Sequence, residues 1–382
     1  MPDLIIDADF PGGNIIVDGI DGDTVRLHQD LRDTEGDWFY WYFRVRGAQG
    51  RVLTFQFTRG NPIGGRGPCV SVDGGASWQW LGTRPTDAAF TFAVPAGNAE
   101  TRFCLAVPYL EADLRRWLAA RSGAQGLAVQ NLCTTAKGRP VELLRLGRLD
   151  GECASRVAIV CRNHCCEMMA NYSLEGLMDA VLADSEDGRW FRQRAELAIV
   201  PFMDKDGVED GDQGKNRRPW DHNRDFGDRS IYASTKAMRD FLPAWSQGRL
   251  RIALDLHCPW LYGGENEEIY FVGGPVDAQW QRIQEFSRIL EATQTSPLIH
   301  RPEFNLPFGQ KWNTSAPGGP VNSFACWAAQ LEGIDFGTTV EMPYANVVGK
   351  EVNAATARAF GADLARALRH YLQATCDLPG AR

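Results

Sequence analysis

Val157-Ala158-Ile159-Val160-Cys161-Arg162-Asn163-His164-Cys165-Cys166-Glu167 runs from five apolar residues directly into an imidazole and a carboxylate. The apolar half has the length and β-branched content of a strand buried on both faces. Five further stretches read the same way: 141–146, 197–202, 252–256, 268–272 and 338–342. Between and after them, 174–182, 234–242, 278–291 and 354–372 carry helical spacing. Strands alternating with helices predict an α/β sheet with helices on both faces. Ligands in such sheets gather at the carboxyl ends of the strands, so the tails of these segments are where chemistry is expected.

Residues 1–121 read differently. Aromatic and β-branched stretches at 37–46, 51–57, 89–94 and 102–107 are separated by Gly, Pro and Asp, and 70–78 holds a hairpin signal at Asp73-Gly74-Gly75. Short strands at regular spacing predict an antiparallel sandwich. A helical segment at 111–118 and a polar, glycine-bearing stretch after Arg121 mark the boundary. The expectation is an all-β domain over 1–121 and an α/β domain over 122–382, in keeping with a chain of 382 residues.

A net charge of −8 runs against nucleic-acid binding and polybasic membrane attachment. No apolar stretch approaches the ~18–20 residues that span a bilayer. The first seven residues carry acids where a signal peptide carries bases, so a cytoplasmic protein is expected. Ten cysteines form no CxxC pair, which argues against a four-cysteine zinc site and for free, mostly buried thiols.

His164 and Glu167 stand three apart, so a helix beginning here would point both the same way. Imidazole and carboxylate together suit zinc, which in catalytic sites takes three protein ligands and leaves one position open. The strand 251–258 ends in His257, a natural third ligand, and the chain holds six histidines in all. Taken singly, His-x-x-Glu arises by chance in many proteins, and a strand-end histidine is often a core residue bonded to a carbonyl. Between the two lies Gly214-Lys215-Asn216-Arg217-Arg218-Pro219-Trp220-Asp221-His222-Asn223-Arg224-Asp225. Arginines beside an asparagine suit bidentate recognition of a carboxylate, although a solvated turn has the same composition. His222 competes as a ligand. Glu341 ends an otherwise apolar strand, where a carboxylate without a role is costly. It is either a general base or half of a structural ion pair.

The ordered set His164-x-x-Glu167, Asp221-His222-Asn223-Arg224, Asp255-Leu256-His257 and Val340-Glu341-Met342 resembles the zinc carboxypeptidases. It is most similar to their cytosolic branch, with the aromatic stretch 38–46 and the lead-in 135–140 matching in style. The resemblance implies a mixed central sheet flanked by helices, preceded by an all-β antiparallel sandwich. It implies one zinc per chain on His164, Glu167 and His257, the family's own site geometry. It further implies that Asn223 and Arg224, with Arg218, grip the substrate's terminal carboxylate. Arg217, or its neighbour Arg218, stabilises the oxyanion. Asp221 fixes the tautomer of His164. Glu341 takes a proton from zinc-activated water and passes it to the leaving amine. The implied substrate is the C-terminus of a peptide or protein tail, with acidic terminal residues favoured and Lys311, Arg301 and Arg218 as unranked cations for such a side chain.

The chain departs from the family at several points. No tyrosine lies between Tyr270 and Tyr344, where relatives carry a mobile one; Trp312, Asn313 and a Gly-Gly-Pro turn at 318–320 stand there instead. Cys165-Cys166 replaces the Pro-Gly common between the ligands in this branch, which raises thiolate ligation by Cys165, Cys166 or Cys258 as an alternative. The acidic stretch 204–212 resembles a calcium loop without its final glutamate and reads as a solvated loop leading to the arginines. Two further readings of the whole chain stay open: a zinc amidase or deacylase acting on small N-acyl amino acids or peptidoglycan fragments, and an inactive binding protein of the same fold.

Overall fold

Strands Ser155–Cys161 and Ala195–Val200 are buried at every position. A strand with no solvent face must lie inside a sheet covered on both sides. The computed structural model, which describes residues 3–314 and 322–376, places them there. They are the interior of a seven-stranded sheet ordered Leu127–Thr134, Pro140–Gly147, Ala195–Val200, Ser155–Cys161, Leu250–His257, Phe336–Glu341 and Tyr270–Val272. Ser155–Cys161 runs parallel to both of its neighbours, and Leu250–His257 runs parallel to Phe336–Glu341. The remaining pairs are antiparallel, so the sheet is mixed.

Alternate residues of each strand face opposite ways. Val157, Ile159 and Leu254 join one core with helices Met169–Leu182, Asp277–Thr293 and Ala354–Cys376. Ala158, Val160 and Ala253 join a second with helices Ala233–Ser246 and Phe324–Ala328. Helices therefore cover both faces, as expected. Helices Met169–Leu182 and Ala354–Cys376 touch at glycines: a Cβ at Gly176 would lie 1.9 Å from the Arg358 carbonyl oxygen, and one at Gly361 would lie 1.9 Å from that of Ser173.

Ahead of this sheet the chain forms two smaller ones. The first orders Ile5–Asp7, Tyr42–Arg46, Glu100–Cys104, Cys69–Ser71 and Gln79–Trp80; the second orders Ile16–Asp21, Thr24–His28, Val52–Phe57 and Ala89–Ala93. Rings on one meet rings on the other, Phe43 with Phe55 at 5.3 Å and Trp41 with Phe57 at 5.1 Å between centroids. The core built there is continuous with that of the larger sheet. The N-terminal part is not wholly antiparallel: Thr24–His28 and Val52–Phe57 run parallel. Between them the chain crosses to the other sheet through Tyr42–Arg46, which returns it in the same direction.

All six expected strands and four helices of the α/β part are found, with their ends shifted by up to five residues. The stretch 37–46 becomes a strand only from Tyr42. Leu127–Thr134 is a strand the sequence does not announce, being a half-exposed edge without a clean apolar run. The stretch 204–212 is not a solvated loop: Lys205–Asp210 is a short helix capped by the Asp204 side chain. Its acids are neutralised from a distance in sequence, Asp206 and Asp210 each lying 2.8 Å from the Arg139 guanidinium. The Gly-Gly-Pro turn at 318–320 lies outside the described residues.

Candidate active site

The parallel strands bring their carboxyl ends to one edge, and in the register of that pairing His257 stands directly opposite Glu341. His164 and Glu167 follow the end of Ser155–Cys161. No helix starts at His164, contrary to what the three-residue spacing suggests; the helix begins at Met169. A turn closed by the Glu167 N–H donating to the His164 carbonyl at 3.3 Å still puts the two side chains together. Among the described residues, His164, Glu167 and His257 bring one donor atom each within 4.8 Å of one another.

The orientation of the rings matters more than their proximity. His164 Nδ1 lies 3.0 Å from Glu167 Oε1, and His257 Nδ1 lies 2.7 Å from Glu167 Oε2. The far nitrogens face carboxylates, His164 Nε2 at 3.6 Å from Asp221 and His257 Nε2 at 3.0 Å from Asp255. With an aspartate behind each ring at Nε2, an ion at the centre would meet the Nδ1 atoms. Both Glu167 oxygens are buried, and each faces an imidazole Nδ1 across the centre of the cluster. Two imidazole nitrogens and a carboxylate so arranged fit a zinc ion. Cys165, Cys166 and Cys258 are buried nearby but contribute no atom to this cluster, and neither does His222, whose ring stacks on Tyr232 at 3.6 Å.

Burial alone would raise the Glu167 carboxyl, but the Lys215 ammonium and the two imidazoles outweigh it and hold the group ionised. Burial would likewise strip the proton from His257; Asp255 and Glu167 outweigh that and raise it well above its usual range. Asp221 is held low mainly by His164 against its own burial. Glu341 is the exception. Burial dominates there and lifts its carboxyl to about 7.

Asp255, part of the motif quoted from the sequence but given no role there, sits two residues before His257 and so shares its strand face. Asn163 donates to it at 2.9 Å, fixing it behind the ring. Groups that hold a ligating histidine in this way are worth roughly 10–100-fold in metal affinity. Asp255→Asn, which keeps the shape and removes the charge, is expected to weaken zinc binding about tenfold or more in competition with a chromophoric chelator. Affinity equal to wild type would remove Asp255 from the site.

The loop carrying Arg217, Arg218, Asn223 and Arg224 distributes them unequally. The Arg217 guanidinium is engaged on three sides: Nε at 2.9 Å from Asp33, Nη1 at 2.6 Å from Asp204 and Nη2 at 2.8 Å from Asp212. The Arg218 side chain is 83 % exposed and pairs with Glu35. Asn223 is buried with its Oδ1 unpartnered, and Arg224 is exposed, donating to the Asn223 carbonyl at 3.0 Å. Lys311 pairs with Glu265, and Arg301 lies 3.5 Å from Glu303. Trp312 is 52 % exposed and hydrogen-bonds the side chain of Tyr270, whose strand position faces Glu341.

Three comparisons bear on this arrangement. No family model matches the chain. Its fold is that of the metallo-carboxypeptidases: the crystal structure of one from Burkholderia cenocepacia aligns with a TM-score of 0.80 over 97% of this chain and 100% of that one, at 22% identity. By sequence, the chain is 29% identical over 212 residues to an uncharacterised protein of Zymomonas mobilis, covering 53% of this chain and 54% of that protein. It is 24% identical over 146 residues to cytosolic carboxypeptidase 2 of Xenopus tropicalis, covering 36% of this chain and 15% of that protein. The chain thus spans about half the length of the first of these curated relatives and far less of the second. The metallo-carboxypeptidase resemblance read from the sequence holds at the level of the fold. No helix among the described residues is long and apolar enough to cross a membrane.

Proposed function

We propose that this chain is a zinc metallocarboxypeptidase that removes a terminal residue from peptides or protein tails. The observation that carries the reading is the buried Glu341 standing opposite His257, at the edge of a three-residue donor cluster, in a metallo-carboxypeptidase fold. His164, Glu167 and His257 would hold the zinc. Bound there, zinc supplies Lewis acidity to the scissile carbonyl and lowers the pKa of the attacking water.

The protein's own groups do the rest. Glu341, its Oε2 free of hydrogen-bond donors, accepts a proton from the attacking water and returns it to the leaving amine. Asn223 and Arg224, with Arg218 at the rim, grip the free carboxylate, which restricts cleavage to the chain end. Asp221 orients His164. The two N-terminal sheets form a sandwich that, as a domain over 1–121, abuts the catalytic part over 122–382. All nine cysteines with described side chains are free thiols, which supports a reducing, cytoplasmic setting.

Metal analysis and release of terminal amino acids from a mixed-peptide library test this together. One zinc per chain with release of C-terminal residues is expected, and the residues released report whether acidic termini are preferred. Zinc without release would replace the reading by an amidase. No zinc in supplemented, freshly purified protein would remove the ligand assignment.

A further inference from the structure

The proposed chemistry needs a positive charge beside the scissile carbonyl, where negative charge develops as water adds. The arginine expected there, Arg217, already meets three carboxylates through all three of its nitrogens, and its Nη2 also faces the Cys165 sulfur at 3.8 Å. Its planar fork is thus committed within the loop. Arg218 lies at the surface with Glu35. A different cation points into the site. Lys215 Nζ lies 2.6 Å from Glu167 Oε1, with the side chain only 12 % exposed. The ammonium therefore stands against Glu167, at the sheet edge where Glu341 faces His257 and a reacting carbonyl must enter.

The N-terminal part holds it there. Nζ lies 5.3 Å from the Trp38 ring centroid and 5.9 Å from that of Phe39, so two aromatic faces brace the ammonium from behind. Trp260, three residues beyond His257, closes the same wall at 5.5 Å from Trp38 and 4.8 Å from Phe39. The Cys258 carbonyl accepts from Nζ at 3.5 Å, a long and weak bond. An ammonium has three N–H donors. One is taken by Glu167 and one by this weak bond, which leaves a third for a ligand.

We propose that Lys215, braced by Trp38 and Phe39, is the catalytic cation that donates to the scissile carbonyl oxygen as it becomes an oxyanion, and that Arg217 instead fixes the loop. The inference rests on the carboxypeptidase reading. No proton is transferred by Lys215: it stays an ammonium, the C–N bond breaks, and the amine leaves with the proton supplied through Glu341.

The test uses the full chain, zinc-loaded, as wild type, Lys215→Met and Lys215→Arg. Lys215→Met is expected to lose about 10²–10³ in kcat with a smaller change in KM, the usual loss for one oxyanion donor. Lys215→Arg recovers part of it. Binding gives a readout independent of turnover. A phosphinic peptide, whose anionic tetrahedral centre copies the oxyanion, loses affinity for Lys215→Met by a similar factor, whereas a free amino acid product binds both proteins alike. Zinc content is measured for each. An active wild type whose Lys215→Met variant keeps its kcat within about twofold, or whose loss tracks zinc content alone, overturns the role of Lys215 and leaves the carboxypeptidase reading standing. A wild type inactive on every peptide, yet loaded with zinc, overturns both.

Discussion

Glu341→Gln is expected to lower kcat by roughly 10²–10⁴ while leaving zinc content and fold unchanged, the range typical of a lost general base. The substitution is nearly isosteric, so packing around the strand end stays the same. What disappears is the ability to take a proton. Glu341 suits that task because burial raises its carboxyl to about 7, offset in part by His257 and Lys215 and reinforced by Glu167. A base whose affinity for protons lies near the working pH accepts them readily and also gives them up. The sign of the pH dependence follows: the protonated form cannot act, so kcat/KM falls as pH drops through the carboxyl's pKa. A zinc dication nearby favours the ionised form, so this acid limb lies at or below about 7 in the loaded enzyme. The residual activity of Glu341→Gln is expected to lack it. A variant with full turnover, or with the acid limb intact, would remove Glu341 from catalysis.

That glutamate is legible in the sequence for a physical reason: a lone carboxylate closing an apolar strand advertises its own desolvation. The same holds for His257, and the parallel register that sets the two opposite each other follows from strands of like direction in one sheet. Other parts of the site depend on contacts between residues remote in sequence. Nothing local distinguishes Lys215 from Arg217 and Arg218; their fates are decided by Asp33, Glu35 and Trp38, nearly two hundred residues earlier. The helix Lys205–Asp210 is hidden similarly, because Arg139 and Lys137, which neutralise its acids, lie on a different strand connection. Asp255 is within reach of sequence reasoning. Its alternation with His257 puts both on one strand face, and it is the one carboxylate of an otherwise apolar strand end.

Arg217→Met is expected to destabilise the fold by about 3–5 kcal/mol at neutral pH, the range for removing one partner of a buried ion pair. Asp204, Asp212 and Asp33 are all largely buried and all converge on this guanidinium. Without it, three carboxylates from the N-terminal part and two separate loops face one another in a space of low polarity. Arg217→Lys should recover only part of the loss, since a point charge on a flexible stem cannot meet three partners at once as the planar fork does. The pH dependence supplies a sharper test. Even with the arginine in place, burial and the neighbouring Asp33 lift Asp212 to about 6. Removing Arg217 takes away the charge that holds Asp204 below its usual range and that offsets burial at Asp212, so both carboxyls rise. An acid raised in this way destabilises the folded state above its folded pKa, and the penalty is lost as pH falls through that value. The stability gap between variant and wild type is therefore largest where these carboxyls are ionised, near neutrality and above, and narrows as pH falls through their raised values in the variant, read from urea midpoints at constant slope. A gap that stays constant with pH would mean that Arg217→Met fails by packing and not by charge. An unchanged midpoint at neutral pH would mean that the three carboxylates do not depend on Arg217, and would return that guanidinium to the groups free to act on substrate.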